Sequence, residues 1–425
     1  MWEKISLVWK IKEVRTKILF VLLMLLIFRV TAHIPVPGVN LEALRSLFEG
    51  NQFLGLLNVF SGGSYDTFSV VMLGVGPYIT ASIIFQLLTM IIPALEKIQK
   101  EGERGQQRIN QWTRYLTVPL AVLQGFGTIT LIRRSSPTIL PDLSMFDFIS
   151  ILVIISAGSI FLMWIGELIS EKKIGNGLSL MIFAGIVAGL PNQIAQQSQV
   201  IDSGQIFQVA LFAAVALVTV VAVVFVTEAL RKIPVTYARR VRGNQMFGGS
   251  ETFLPMRVNQ AGVIPIIFAV SLTLTPTLVS QFLVNSRFPM VRTIAERTIQ
   301  LFGQGGTVYD IVYFVLVFAF TYFYTAVVFH PQQVAENLQK QGGFIPGIRP
   351  GTQTADYLSY VSNRIILAGA LFLGVIAILP NIVQRFTNIS TLVVGGTSLL
   401  IVVSVVIETV RQVEAQLIVR DYEGF

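Results

Sequence analysis

The sequence predicts an all-α polytopic membrane protein with ten transmembrane helices, and three observations carry the prediction. Ten apolar stretches punctuate the 425 residues, each roughly long enough to cross a hydrocarbon core of about 30 Å. Hydrophobic residues make up 53% of the chain and charged residues 13%, well below the roughly 25% charged of a soluble domain. Lys and Arg gather on alternate connections between the apolar stretches, the pattern of a chain held by its cytoplasmic loops.

In chain order the spans are 18–34, 70–92, 115–132, 148–168, 178–190, 206–230, 261–284, 308–329, 365–383 and 391–410. The first follows Lys4, Lys10, Lys12, Arg15 and Lys17 without a small-residue cleavage site, so it reads as a retained helix rather than a signal peptide. Arg29, near its far end, reads as a snorkelling side chain. Within the second span, Gly74-Val75-Gly76-Pro77 is a helix-bending sequence rather than a phosphate cradle. The fifth span is short, which implies tilt, burial or local thinning of the bilayer. With the N-terminus in the cytoplasm, 23 of the 31 Lys and Arg residues fall on that side and 8 on the other. That asymmetry places both termini inside. A single membrane domain, 1–425, absorbs the whole length.

Two inside loops are longer than simple connections. Residues 231–260 include Tyr237, Arg239, Arg240 and Arg242, then Gly243, Gly248 and Gly249, and their alternation predicts a β-hairpin. Residues 330–364 hold a predicted helix over 333–341 followed by the turn-rich 342–351. Each loop is either a working surface or a basic, solvated face that fixes topology. Between the first two spans, 53–60 is apolar but only one to two turns long before Ser61-Gly62-Gly63-Ser64 stops it. It is a re-entrant half-helix or a helix lying on the interface, and hydropathy by itself favours the second.

Composition narrows the function classes. A net charge of +8 fits basic cytoplasmic loops better than a nucleic-acid binder. Cys is absent, which excludes disulfides and thiolate metal sites, and His33 and His330 are too few for a metal cage. A proton-coupled transporter or intramembrane enzyme needs carboxylates or relays at membrane depth. Glu167, Glu228 and Glu408 instead lie near cytoplasmic span ends and Asp310 at the outer start of another, and no HExxH, GxSxG or Walker motif is present.

What remains is apolar and branched. Ile79 and Ile83, Ile182 and Ile186, and Ile264 and Ile267 are spaced three or four apart, and Ile401 lies near mid-span. Each pair shares one helical face. Ordinary helix packing accounts for most such residues; converging faces would instead build a narrow constriction that closes by dewetting. Ser82 and Gln86 stand four apart on the second span and Gln124 lies within the third, as interhelical glue or as a seam that opens toward lipid.

Six ordered segments carry a resemblance: Gly76-Pro-Tyr-Ile-Thr-Ala-Ser-Ile-Ile-Phe-Gln-Leu-Leu88, Lys100-Glu-Gly-Glu103, Gly175-Asn-Gly-Leu-Ser179 with Ile182-Phe-Ala-Gly-Ile-Val187, Ala261-Gly-Val-Ile-Pro265, Gly343-Phe-Ile-Pro-Gly-Ile-Arg-Pro-Gly351 and Gly395-Gly-Thr-Ser-Leu-Leu-Ile401. Through them the chain resembles the SecY family, the central channel subunits of the bacterial Sec preprotein translocon, over essentially its whole length. The resemblance implies two inverted, pseudo-symmetric halves of five helices, 1–195 and 196–425. It implies an hourglass pore with Ile79, Ile83, Ile182, Ile186, Ile264, Ile267 and Ile401 as the waist. A short re-entrant plug over about 53–64 would supply Leu54, Leu56, Leu57, Val59, Phe60, Gly62 and Gly63. A lateral gate would run between the second and third spans, near Ser82 and Gln86, and the seventh and eighth. Arg239, Arg240, Arg242 and Arg349 would dock the SecA ATPase and the ribosome, with ribosomal RNA in reach of the same loops. Leu180 and Met181 depart from the isoleucines often found there.

The implied function is a protein-conducting channel that is not an enzyme and uses no cofactor. It passes unfolded preproteins bearing signal peptides across a bacterial plasma membrane, or a thylakoid, and releases signal or transmembrane segments sideways into membrane lipid. SecE, SecG, SecA, the ribosome, YidC and SecDF are the implied partners. The alternative is a secondary transporter of a small solute, which requires a polar or charged site at the midplane.

Overall fold

The structure, a computed structural model, describes residues 9–44, 58, 61–135, 138–140, 144–200, 206–237, 240–242, 245–247, 251–284, 286–302, 306–387 and 392–423. Helix α1 (Lys12–Thr31) carries Glu13 in its first turn and Arg29 in its last, the arrangement the helix dipole favours. It buries Val14, Val21 and Phe28, seven residues apart, and exposes Leu19, Leu22, Leu23, Leu26 and Val30 on the opposite face. Such an apolar stripe is stable against acyl chains and not against water.

Helix α2 (Gly76–Ile91) ends at Ile92, and α3 (Pro93–Lys100) leaves it at 102°. Pro93 explains the break, because its ring disfavours helical backbone at the preceding residue. The expected second span, 70–92, therefore starts late: residues 70–75 are turns, with Gly74 at φ +58, and the helix begins only at Gly76. Helices α4 (Glu103–Ser135), α5 (Met145–Glu171), α6 (Gly177–Val200) and α7 (Ile206–Glu228) follow. A capping box between Ser144 and Asp147 starts α5. Although the apolar run of the fifth expected span stops at Leu190, α6 continues to Val200, past Pro191 within the helix, through a run that includes the helix formers Gln193, Ala195, Gln196, Gln197 and Gln199.

The first long loop folds as expected. Strand β1 (Leu230–Tyr237) pairs antiparallel with β4 (Glu251–Arg257), Leu230 opposite Arg257, and the short strands β2 (Arg240–Arg242) and β3 (Gln245–Phe247) pair beyond them. Then come α8 (Ile264–Leu283), α9 (Pro289–Leu301), α10 (Thr307–Val328), α11 (Pro331–Lys340), β5 (Gly343–Phe344), α12 (Thr352–Thr387) and α13 (Leu392–Glu423). Strand β5 adds to β1, giving the sheet order β4-β1-β5. The two long loops thus share one sheet over a small core of Ile233, Val235, Met256, Leu338, Ile345 and Leu358.

Among the described residues, five helices are long and apolar enough to cross a membrane, and the bent α2–α3 pair makes a sixth. Two shorter apolar stretches, Gly177–Pro191 and Ala213–Glu228, coincide with the fifth and sixth expected spans. Helix α1 has the length but carries Arg15, Lys17 and Arg29. The described residues thus give a multi-pass helical membrane protein without by themselves reaching the expected ten.

Close approach of backbone fixes where α5 sits. A Cβ added at Gly158 would lie 1.9 Å from the carbonyl oxygen of Val70, so no side chain fits there. We expect Gly158→Val to destabilise the bundle by about 3 kcal/mol, read as a lower melting temperature of the detergent-solubilised protein. An unchanged melt would show that the turn at Val70 yields.

Candidate functional site

The isoleucines singled out in the sequence fall within one large apolar cluster. Ile79 and Ile83 of α2, Ile182 and Ile186 of α6, Ile267 of α8 and Ile401 of α13 are all buried in one apolar cluster, with Ile264 half-buried at its side. Four helices that are distant in sequence supply them. Leu180 and Met181 are buried in the same cluster.

Next to this cluster runs irregular backbone, Ser61–Val75, with eleven of its fifteen residues buried and none exposed. Backbone of this kind survives at membrane depth only inside protein, with its polar groups satisfied. Here Ser159 Oγ donates to the Gly74 carbonyl at 2.8 Å, Thr67 Oγ1 to the Ala32 carbonyl at 2.8 Å, and the Val36 and Val70 amides to the Phe68 and Ile34 carbonyls. Gly62 has φ +75, and a Cβ on it would lie 2.7 Å from Phe28 Cζ and 3.1 Å from Gly185 Cα. Gly185 stands between Ile182 and Ile186, so the end of the expected plug touches the isoleucine cluster. Gly63 follows it at φ +83. Leu54, Leu56, Leu57, Val59 and Phe60 lie outside the described residues.

Arg29 does not snorkel away. Its Nη1 donates to the Gly62 carbonyl at 2.5 Å, tying α1 to the segment under the cluster. The sequence reading missed this contact, and it missed Gly158 and Ser159. The run Ser156-Ala-Gly-Ser159 in the middle of an apolar span was the available signal, since small residues mark close approach between membrane segments.

Ser82 and Gln86 sit on α2, where Gln86 Nε2 donates to Ser82 Oγ at 3.3 Å and Gln86 Oε1 is buried without a partner. Across from them Gln124 Nε2 of α4 donates to Thr80 Oγ1 at 3.3 Å. The Gln124–Thr80 bond links α4 to α2, and α8 packs against both helices. A polar seam within an apolar wall costs less to part than an interlocked one, because water or a passing chain can replace its hydrogen bonds.

At the sheet end, Arg240 and Arg242 lie in β2, opposite Phe247 and Gln245, and Arg239 lies outside the described residues. Arg349 is exposed in the turn between β5 and α12, and its carbonyl accepts from Thr354 Oγ1 at 2.9 Å. At the base of the same sheet, burial and then the neighbouring Arg411 hold the Arg257 guanidinium below its ordinary pKa, against the pull of Glu228 and Glu408. Arg411 Nε donates to Glu228 Oε1 at 2.8 Å, pinning α13 to α7 there. Among the described residues no group of three or more His, Asp or Glu lies together.

Comparison with known proteins adds to this geometry. A family model described as SecY matches residues 69–410. The protein translocase subunit SecY of Halalkalibacterium halodurans is 43% identical over 434 residues, covering 100% of both chains. That of Streptomyces galbus is 45% identical over 429 residues, 97% of each chain. A solved protein-conducting channel aligns with a TM-score of 0.63 at 17% identity, over 93% of this chain and 91% of the other. Sec61 of the canine ribosome–channel complex aligns with a TM-score of 0.61 at 17% identity, over 94% and 91%. The two structures speak for the fold; the model and the full-length relatives speak for descent, and by them this chain belongs to the SecY family.

Proposed function

We propose that the chain is a protein-conducting channel, with Ile79, Ile83, Ile182, Ile186, Ile264, Ile267 and Ile401 as the waist of its pore. The observation that supports this reading is that those side chains, from four helices, share one apolar cluster, with irregular backbone seated against it. In this closed arrangement the apolar waist excludes water and ions by dewetting. Pushing a polypeptide through displaces packed side chains and no bound ligand, so the channel needs no catalytic group. The residue 53–64 segment acts as the plug, held at its C-terminal end by Arg29 and Phe28.

The halves 1–195 and 196–425 part along a gate between α2 and α4 on one side and α8 and α10 on the other, with Ser82 and Gln86 near it. An apolar segment of about 20 residues in the pore then reaches lipid, where it gains free energy by partitioning. The sheet β4-β1-β5 and its tip, with Arg239, Arg240, Arg242 and Arg349, form the platform for a translocation motor or a ribosome. SecE and SecG are the accessory subunits expected beside the channel, in a bacterial plasma membrane. A small-solute transporter has no observation in its favour, since the cluster these residues share is apolar.

The test is reconstitution. Proteoliposomes holding the chain with its co-purified subunits should protect a signal-bearing preprotein from external protease when SecA and ATP are added. Absence of protection, together with uptake of a labelled small solute, would reverse the reading.

A further inference from the structure

Helix α9 joins the end of α8 farthest from the β4-β1-β5 sheet to the start of α10, so it lies at the opposite end of the bundle from both long loops. With 13 residues including Arg292, Glu296 and Arg297, it is too short and too charged to cross a membrane. At about 100° per residue its side chains sort into three faces. Buried Ala295, with half-buried Val291 and Ile299, packs toward the bundle. Arg292, Thr293, Glu296 and Gln300 make a polar face, where Arg292 Nε donates to Glu296 Oε1 at 2.8 Å.

The third face is apolar and uncovered. Met290, Ile294 and Leu301 are 77%, 56% and 49% exposed, and Phe288 just before the helix is 70% exposed. A surface helix in water needs one apolar face, the one it packs with. Arg297 stands on the border between the apolar and polar faces, and Arg287 immediately precedes Phe288. Neither has a carboxylate partner among the described residues.

We propose that α9 is an interfacial anchor: Phe288, Met290, Ile294 and Leu301 seat at the headgroup–acyl boundary, while Arg287 and Arg297 contact the phosphodiester groups of anionic phospholipid. Apolar side chains flanked by long cations are the pattern of helices that lie in a bilayer interface. The charge complements an anionic headgroup layer, with three arginines against one glutamate over 287–301. Because α9 continues directly from α8, the anchor fixes one wall of the proposed gate to the bilayer plane. That consequence rests on the channel reading; the anchor itself does not.

The absence of native Cys makes the test direct. Ile294→Cys and Thr293→Cys each take one environment-sensitive fluorophore in the full chain with its co-purified subunits, in vesicles of phosphatidylcholine with or without phosphatidylglycerol. A lipid carrying a shallow nitroxide should quench the label at position 294 about threefold more than that at 293, with iodide showing the reverse. Adding Arg287→Gln and Arg297→Gln should cut the nitroxide quenching about twofold in phosphatidylglycerol vesicles and remove its dependence on that lipid. Equal iodide quenching at both positions would put α9 in water and overturn the proposal. Shielding of position 294 from both quenchers would mean a protein partner covers the face, and would overturn it equally. Lipid quenching indifferent to both arginines would overturn the phosphodiester contact. Label depth is read without any preprotein, so each failure leaves the channel reading standing.

Discussion

Replacing Ile83 and Ile186 together by Gly raises the ion conductance of the resting protein in planar bilayers on the order of tenfold. The two side chains are 6% and 3% exposed and belong to different helices, so their loss opens the waist from two sides. Each buried isoleucine contributes about 2 kcal/mol of apolar burial. Transfer of even a third of the combined loss to the dewetting barrier is enough for a tenfold rise. Ile83→Val with Ile186→Val keeps branched, apolar walls and should leave the leak within about twofold of the parent. A Gly pair that conducts no more than the parent would remove both residues from the seal and reassign the cluster to ordinary helix packing. Retention of the folded, monodisperse protein in detergent distinguishes a leak from a collapse of the bundle, since a cavity in a well-packed core also destabilises.

The architecture was legible where a single physical cause dominates. Hydropathy marked the helices because a bilayer demands satisfied backbone over a fixed thickness. Alternation marked the β1–β4 hairpin because its strands present two chemically distinct faces, and the 333–341 helix appeared within a residue or two of its observed bounds. The isoleucines were visible as pairs on helical faces, but spacing within one helix carries no information about which faces meet; only the resemblance suggested a ring. The pairing of β5 with β1, which joins residues more than a hundred positions apart, left no trace in local pattern. Arg29 was misread because its partner is a backbone carbonyl, Gly62, and any residue has one. Gly158 was missed for a related reason: the small-residue run around it signals a close approach, but what it accommodates is the Val70 carbonyl, which local pattern does not name. Asp310, read as a carboxylate at a span end, proves buried between Asn381, whose Nδ2 donates to it at 2.6 Å, and Arg385. Partners from a distant helix turned an interfacial charge into a structural one.

Arg349→Glu abolishes SecA-driven preprotein import into proteoliposomes while the channel still inserts and folds. The side chain is exposed, so its reversal costs the fold little. What holds the turn is elsewhere: Thr354 Oγ1 bonds the Arg349 carbonyl, which any residue at that position retains, buried Ile345 anchors the approach, and β5 ties it to β1. The guanidinium is therefore presented on a rigid platform at the tip of the sheet, and a rigid, charged projection suits docking because little ordering entropy is lost on contact. Removing one partner of a close charge pair in an interface costs about 2–5 kcal/mol, a loss of affinity of at least about thirtyfold. Lys340→Glu is the control, since Lys340 lies on the same loop but in a fully exposed pair with Glu336 at 3.8 Å, and such pairs contribute about 1 kcal/mol at most. The Lys340 variant should import at close to the parent rate, and raising the ionic strength should slow the parent toward the Arg349 variant. Import by Arg349→Glu at the parent rate, in vesicles of matched channel content, would strip the turn of its docking role and leave the basic β2 tip as the remaining platform.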